Sequence, residues 1–218
     1  MFDFSVIVQN APLLWYGLLV TLEYTVATIT AGMIIGLIVG LIQLSRIRLL
    51  RALGRLYVEF FRNIPLLVTL LWTYYALPIF LHVNITKGWA GLIALSCYVG
   101  SFYAEILRAG VQGVDRGQTD AATALGMTYR QRMRRIVLPQ AFRRMMPPLV
   151  GQSIIQMKNT TLLSAITVPD LLYQGSYVSS FTYKPMEIYT AIGAIFLVIL
   201  VPLTMVTRRM EFGHVSPH

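Results

Sequence analysis

Seven polar residues interrupt an apolar stretch in the C-terminal third of the chain: Gln152, Gln156, Lys158, Asn159, Thr160, Thr161 and Ser164. An ionisable side chain inside such a run is costly, and by default it marks a path for substrate or ions. Gln152, Gln156 and Asn159 recur at helical spacing and can share one face. Asn-Thr-Thr is a weak helix former. It can mark a local break that frees backbone groups for a polar ligand, as in transporters built on discontinuous helices. The opposing reading is that Lys158 pairs with a carboxylate such as Glu23 or Glu105, or lies at a seam between subunits. Glu59 and Arg62 are three residues apart, as are Glu105 and Arg108. Each pair can neutralise itself along one helix face, at the cytoplasmic end of a span.

Other chemistry finds little support. There is no H-E-x-x-H motif, no G-x-S-x-G motif and no G-x-x-x-x-G-K-[ST] phosphate loop. His82, His214 and His218 are scattered, and Cys97 is the single cysteine, so neither a metal cluster nor an intrachain disulfide is expected. The chain reads as no enzyme, with no catalytic residue, metal or cofactor of its own.

The elements that must hold these residues are membrane spans. Of the 218 residues 56% are hydrophobic and 12% charged, against about 25% charged in an average soluble domain. A spanning helix needs about 20 mostly apolar residues. Windows at 18–44, 64–81, 89–107, 147–168 and 188–207 qualify, the fourth being the least apolar. The expected fold is an all-α integral membrane protein of about five transmembrane helices, a single domain over 1–218. Of the 18 basic residues, 15 fall on one side of these spans. Arg46 to Arg62 follow the first span, Arg108 to Arg144 the third, and Arg208 and Arg209 the fifth. Lys87 and Lys184 lie in the opposite loops. Basic residues are retained in the cytoplasm, which puts the N-terminus outside and the C-terminus inside. The net charge of +9 is thus a topology signal, and no nucleic acid is expected as a partner. Residues 1–10 lack the basic region of a cleaved signal peptide. Residues 3–16 read either as a short interfacial helix or as a lead-in to the first span.

Gly32, Gly36 and Gly40 form a doubled small-xxx-small pattern that admits a close neighbour, within the fold or across a subunit contact. The segment 108–146 is far too long for a simple connection. Thr119 is placed to cap a short helix with Asp120 in its first turn. Ala121, Ala122 and Ala124 leave its surface bare, and Gly126 suits its C-terminal stop. Thr128 with Gln131 starts a second, basic helix through 129–137, which Pro139 ends or kinks. A small-residue helix held in the cytosol suits docking in a groove on a partner.

Asp120-Ala121-Ala122, followed by Gly126 and by Ile136, Leu138 and Pro139, resembles the E-A-A loop of binding-protein-dependent ABC importer permeases. Every spacing matches, with Asp in place of Glu. Glu59-Phe60-Phe61-Arg62-Asn63-Ile64-Pro65-Leu66-Leu67 is similar to a stretch of the polar amino-acid permeases, the histidine, glutamine, glutamate and arginine group. So are 104–110 and 158–162. The resemblance covers nearly the whole chain. It implies a multi-pass permease subunit of the bacterial inner membrane, driven by ATP. Asp120, Ala121, Ala122, Gly126, Ile136, Leu138 and Pro139 would couple it to the ATPase. Gln152, Gln156, Lys158, Asn159, Thr160 and Thr161 would line the path of the amino-acid substrate. The implied partners are two ATP-binding subunits that hold ATP and Mg, a second permease chain, identical or sister, and a periplasmic substrate-binding protein. The alternative is a membrane channel or scaffold without ATP coupling, which leaves the matched loop without a purpose.

Overall fold

The computed structural model describes residues 3–212, and His214 and His218 lie outside them. Among the described residues every regular element is helical. A short α1 (Ser5–Gln9) meets α2 (Ala11–Gln43) at Asn10. The lead-in is therefore mostly helix, and the first long helix starts seven residues before the apolar window. Then come α3 (Arg48–Asn63), α4 (Leu66–Leu71), a π turn (Trp72–Ala76) and α5 (Leu77–Leu81). α6 is Lys87–Gln112, and two short helices follow, α7 (Arg116–Ala124) and α8 (Tyr129–Arg132). A second π turn (Met133–Val137) runs into α9 (Leu138–Asn159) and a 3-10 segment (Thr160–Ile166). α10 (Leu171–Thr182) and α11 (Pro185–Phe212) complete the chain.

Three helices are long and apolar enough to cross a membrane: Ala11–Gln43, Lys87–Gln112 and Pro185–Met205. Arg48–Asn63 and Leu66–Leu81 pass the same test together but are bent by 104° between them, a fourth crossing if the pair is one span. The second window, 64–81, is therefore only the latter half of a broken element. The expected fourth span, α9 with its 3-10 extension, is too polar to pass.

Both π turns stand immediately before a Leu-Pro pair, Leu77-Pro78 and Leu138-Pro139. Proline has no N–H and its ring collides with the carbonyl four residues back. Widening the turn before it relieves that collision, so the helix continues. Pro139 was expected to end or kink the helix over 129–137; instead, helical structure runs on through it.

The glycines of α2 make the central seam. A Cβ built on Gly32 would come 2.4 Å from Val99 Cγ1, and one on Gly36 2.5 Å from Tyr103 Cβ. One on Gly40 would meet the Ala104 carbonyl at 3.2 Å. Both helices advance together along this seam, so α2 and α6 run parallel, and the glycine pattern serves packing within the chain. On the other side of α6 the order reverses. Gly110 faces Met145, Tyr103 hydrogen-bonds Ser153 at 2.8 Å, and Gly91 faces Leu163. α9 with the 3-10 segment is thus antiparallel to α6 along nearly its whole length.

α10 begins against α2. Thr21 Oγ1 accepts from Leu171 N–H at 3.0 Å, and a Cβ on Gly17 would lie 2.9 Å from the Asp170 carbonyl. Asp170 caps α10, its Oδ1 accepting from Tyr173 N–H at 2.8 Å. It is fully buried, and its Oδ2 has no hydrogen-bond partner. Burial pushes this carboxyl up to about 7, partly offset by the Tyr173 N–H. Unfolded, it titrates near 3.8. The native state therefore holds the extra proton between about pH 4 and 7. That contribution is complete below the unfolded value and is lost as pH rises through about 7. Asp170→Asn keeps a good cap and removes the titration. The melting temperature of the wild type should fall more between pH 5 and 7.5 than that of the variant; parallel curves would contradict the buried, protonated carboxyl.

Candidate functional site

The α7–α8 segment is built from its caps. Asp115 caps α7, its Oδ1 accepting from Gly117 N–H at 2.6 Å. Thr119, expected as the cap, lies one turn inside the helix and donates to the Arg116 carbonyl at 2.7 Å. A cap needs extended backbone before the first turn, and Asp115 supplies it (φ −55°, ψ 132°). At the other end Met127 N–H bonds the Ala122 carbonyl and Gly126 N–H the Thr123 carbonyl, both at 3.0 Å. This is a Schellman turn with Gly126 at φ +73°. Thr128 and Gln131 form the expected capping box of α8.

Ala122 does not face outward. It is only 1% exposed, because it sits on the inner side of α7. Asp120, Ala121, Thr123, Ala124 and Leu125 are all exposed, the last 81% exposed at the tip. Arg132 donates to Thr123 Oγ1 and lies over the Tyr129 ring, and Arg46 reaches the same ring at 5.8 Å. Val114, Val137 and Ala141 form a small core that anchors the segment below α6. Ile136 is half-buried beside it, whereas Leu138 and Pro139 are exposed.

The polar stretch of α9 divides in two. Gln156 is fully buried and donates to Thr28 Oγ1 at 3.1 Å, so it joins α9 to α2. Gln152 is buried as well, and Thr160 turns its hydroxyl back to the Met157 carbonyl at 2.7 Å. Lys158 is exposed, and its ammonium has no hydrogen-bond or ion-pair partner among the described residues. Asn159 beside it is half-buried and donates to Gln156 Oε1 at 3.4 Å, and Thr161 bonds the Lys158 carbonyl. The structure therefore leaves Lys158, Asn159 and Thr161 accessible and takes Gln152, Gln156 and Thr160 into the fold. Asn-Thr-Thr does not break the helix. It tightens it to 3-10, because threonine hydroxyls can satisfy carbonyls one turn back.

Of the two expected ion pairs one forms, Arg108 with Glu105 at 2.5 Å. That pairing also removes Glu105 as a partner for Lys158. Glu59 instead accepts from Asn63 Nδ2 at 3.0 Å, and Arg62 lies over the Phe102 ring, 5.2 Å from its centroid.

Residues 32–212 match the family described as binding-protein-dependent transport system inner membrane component. The chain belongs to this permease family. The permease is 34% identical over 217 residues to the glutamate/aspartate import permease protein GltK of Escherichia coli, covering 96% of this chain and 97% of GltK. It is 35% identical to the probable glutamine ABC transporter permease protein GlnM of Bacillus subtilis, covering 95% of each. Among solved structures it is similar to a chain of an amino acid ABC transporter with histidines, at a TM-score of 0.91 and 35% identity, covering 97% of this chain and 98% of that one. The MetNI methionine ABC transporter shares the fold, at a TM-score of 0.77 and 20% identity. Two features of the permease escaped sequence reasoning: the exposed Leu125 at the tip of α7, and the stacking of Arg62 on Phe102. Leu125 was recoverable from the sequence, one residue before the glycine stop. Arg62 was not, because its partner lies forty residues away.

Proposed function

We propose that this permease forms one half of the translocation path of an ATP-driven, binding-protein-dependent amino-acid importer. A second permease chain completes the path. Two ATP-binding subunits, which hold the ATP and Mg, dock on the cytosolic α7–α8 segment. A periplasmic binding protein delivers the amino acid, and Lys158 with Asn159 and Thr161 meets it within the membrane. The observation that carries this reading is the capped, glycine-stopped α7, presented on a chain whose relatives are amino-acid permeases. Five crossings fit it, with the N-terminus outside and the C-terminus in the cytoplasm of a bacterial inner membrane. The parallel course of α2 and α6 requires one crossing between them, which the bent pair supplies. The antiparallel α9 with its 3-10 segment supplies the fourth.

The test is uptake by the permease reconstituted in vesicles with its ATP-binding subunits and binding protein. Labelled amino acids should accumulate only with ATP. A cysteine at Lys184 should react with an impermeant thiol reagent in intact cells, and one at Arg130 only after permeabilisation. ATP-independent flux, or labelling of position 130 in sealed cells, would replace this reading with a channel or with the inverted topology.

A further inference from the structure

Arg62 was counted with the arginines of the loop after the first span, but its guanidinium packs against α6. It rests on Phe102, which is within about one turn of the midpoint of α6. Tyr57, on the same helix as Arg62, donates to the Cys97 carbonyl at 2.7 Å, again near the middle of α6. The last turns of α3 therefore lie alongside the central turns of α6. There the chain breaks at Ile64 and Pro65 and turns by 104° into α4. The discontinuity sought in α9 is found here.

Arg62 is exposed on this chain and makes no salt bridge among the described residues. Glu59, the carboxylate nearest in sequence, is held by Asn63, and Glu105 is held by Arg108. Arg62 lies in the field of Glu105 without touching it, and a guanidinium with no direct carboxylate contact at this depth cannot face acyl chains without a large penalty. It must face water, a partner subunit or a polar ligand. Its surroundings suit a ligand: the guanidinium lies over the Phe102 ring, and Tyr98 packs at a tilt against Phe102, ring centroids 5.0 Å apart. A guanidinium placed there can present its fork of donors to a carboxylate.

The register places this group relative to Lys158. Ser153 pairs with Tyr103 and Leu163 with Gly91, so Lys158 stands level with about Cys97. Five residues of helix separate that level from Phe102, about 7.5 Å toward the cytosolic end. Tyr98, one turn from Phe102, and Leu162, one turn from Lys158, border the same core cluster.

We propose that Arg62, lying across Phe102 at the break between α3 and α4, is a second binding point for the carboxylate of the transported amino acid, one step cytosolic of Lys158. This rests on the amino-acid importer reading. The cargo is handed inward from the ammonium of Lys158 to the guanidinium of Arg62, with no charge left in hydrocarbon at either point.

The test is equilibrium binding of labelled glutamine, glutamate and arginine, and of their α-amides, to the assembled transporter. The α-amide lacks the carboxylate charge. Arg62→Gln should lower affinity for the free amino acid about tenfold or more, the loss of one charge-assisted pair. Affinity for the α-amide and the yield of assembled transporter should stay unchanged. Arg62→Lys should recover part of the loss, and Phe102→Leu should show a smaller loss of the same kind. Unchanged affinity for the free amino acid in Arg62→Gln overturns the proposal. So does an equal loss for acid and amide accompanied by poor assembly, which would make Arg62 a strut between α3 and α6 or a partner-subunit contact. A wild-type transporter that binds and imports none of the three amino acids would instead overturn the importer reading itself.

Discussion

Gly126→Val should leave the permease in the membrane at wild-type level and abolish both uptake and substrate-stimulated ATP hydrolysis. The reason is conformational. Gly126 holds φ at +73°, and the two hydrogen bonds that close α7 depend on it. A left-handed residue with a Cβ costs about 1–2 kcal/mol, and a β-branched one more. Nothing lies within 4 Å of a Cβ built there. The substitution therefore causes no collision inside the chain, and its cost falls on the turn alone. Once the turn opens, Asp120, Ala121 and Leu125 no longer share one presented surface. Gly126→Asn, which tolerates the left-handed region, should retain a substantial part of the stimulation. Full stimulation of ATP hydrolysis in Gly126→Val, measured on the reconstituted transporter, would remove the coupling role from this segment.

Lys158→Met and Asn159→Leu should each lower uptake by about tenfold or more, the scale of one lost charge-assisted contact, while the complex assembles normally. Lys158 has no carboxylate partner among the described residues. Replacing it therefore strands no buried charge within the chain, and no assembly defect should follow from that source. Loss of assembly in Lys158→Met would show that the ammonium pairs with a carboxylate of another subunit, because breaking such a pair is strongly destabilising. Normal uptake in both variants would reject this part of the path. Gln156→Leu makes the contrast. It removes a buried bond to Thr28, so its defect should appear in assembly before it appears in uptake.

The parts of the fold that could be read from the sequence are those governed by local rules. The stop at Gly126 and the capping box of Thr128 and Gln131 depend on neighbours within five residues, and both are present as expected. The glycine ladder of α2 was legible as a close-packing face, though its partner was not. What could not be read depends on contacts distant in sequence or on competition between similar signals. Asp115 and Thr119 are both good caps, and only the observed helix start decides between them. Ala122 matches its signature yet faces inward, because a spacing pattern does not say which side of a helix a partner sees. Arg62 looked like the mate of Glu59 at three residues. Asn63 took Glu59, and the Phe102 ring took Arg62, a choice made across two helices.

The π turn at Met133–Val137 has a geometric consequence for everything above it. A π turn accommodates one residue more than an α turn, and one residue of α-helix corresponds to about 100° around the axis. The orientation of α9 relative to α8 therefore carries that offset. A helical wheel drawn straight through from Tyr129 would aim Lys158 at the wrong neighbour. The turn thus works as a phase shifter between the α7–α8 segment and the polar stretch of α9, and Pro139 pins its position. Losing the extra residue would keep each side chain at nearly its own height while swinging Lys158 and Asn159 by about 100° around the axis of α9.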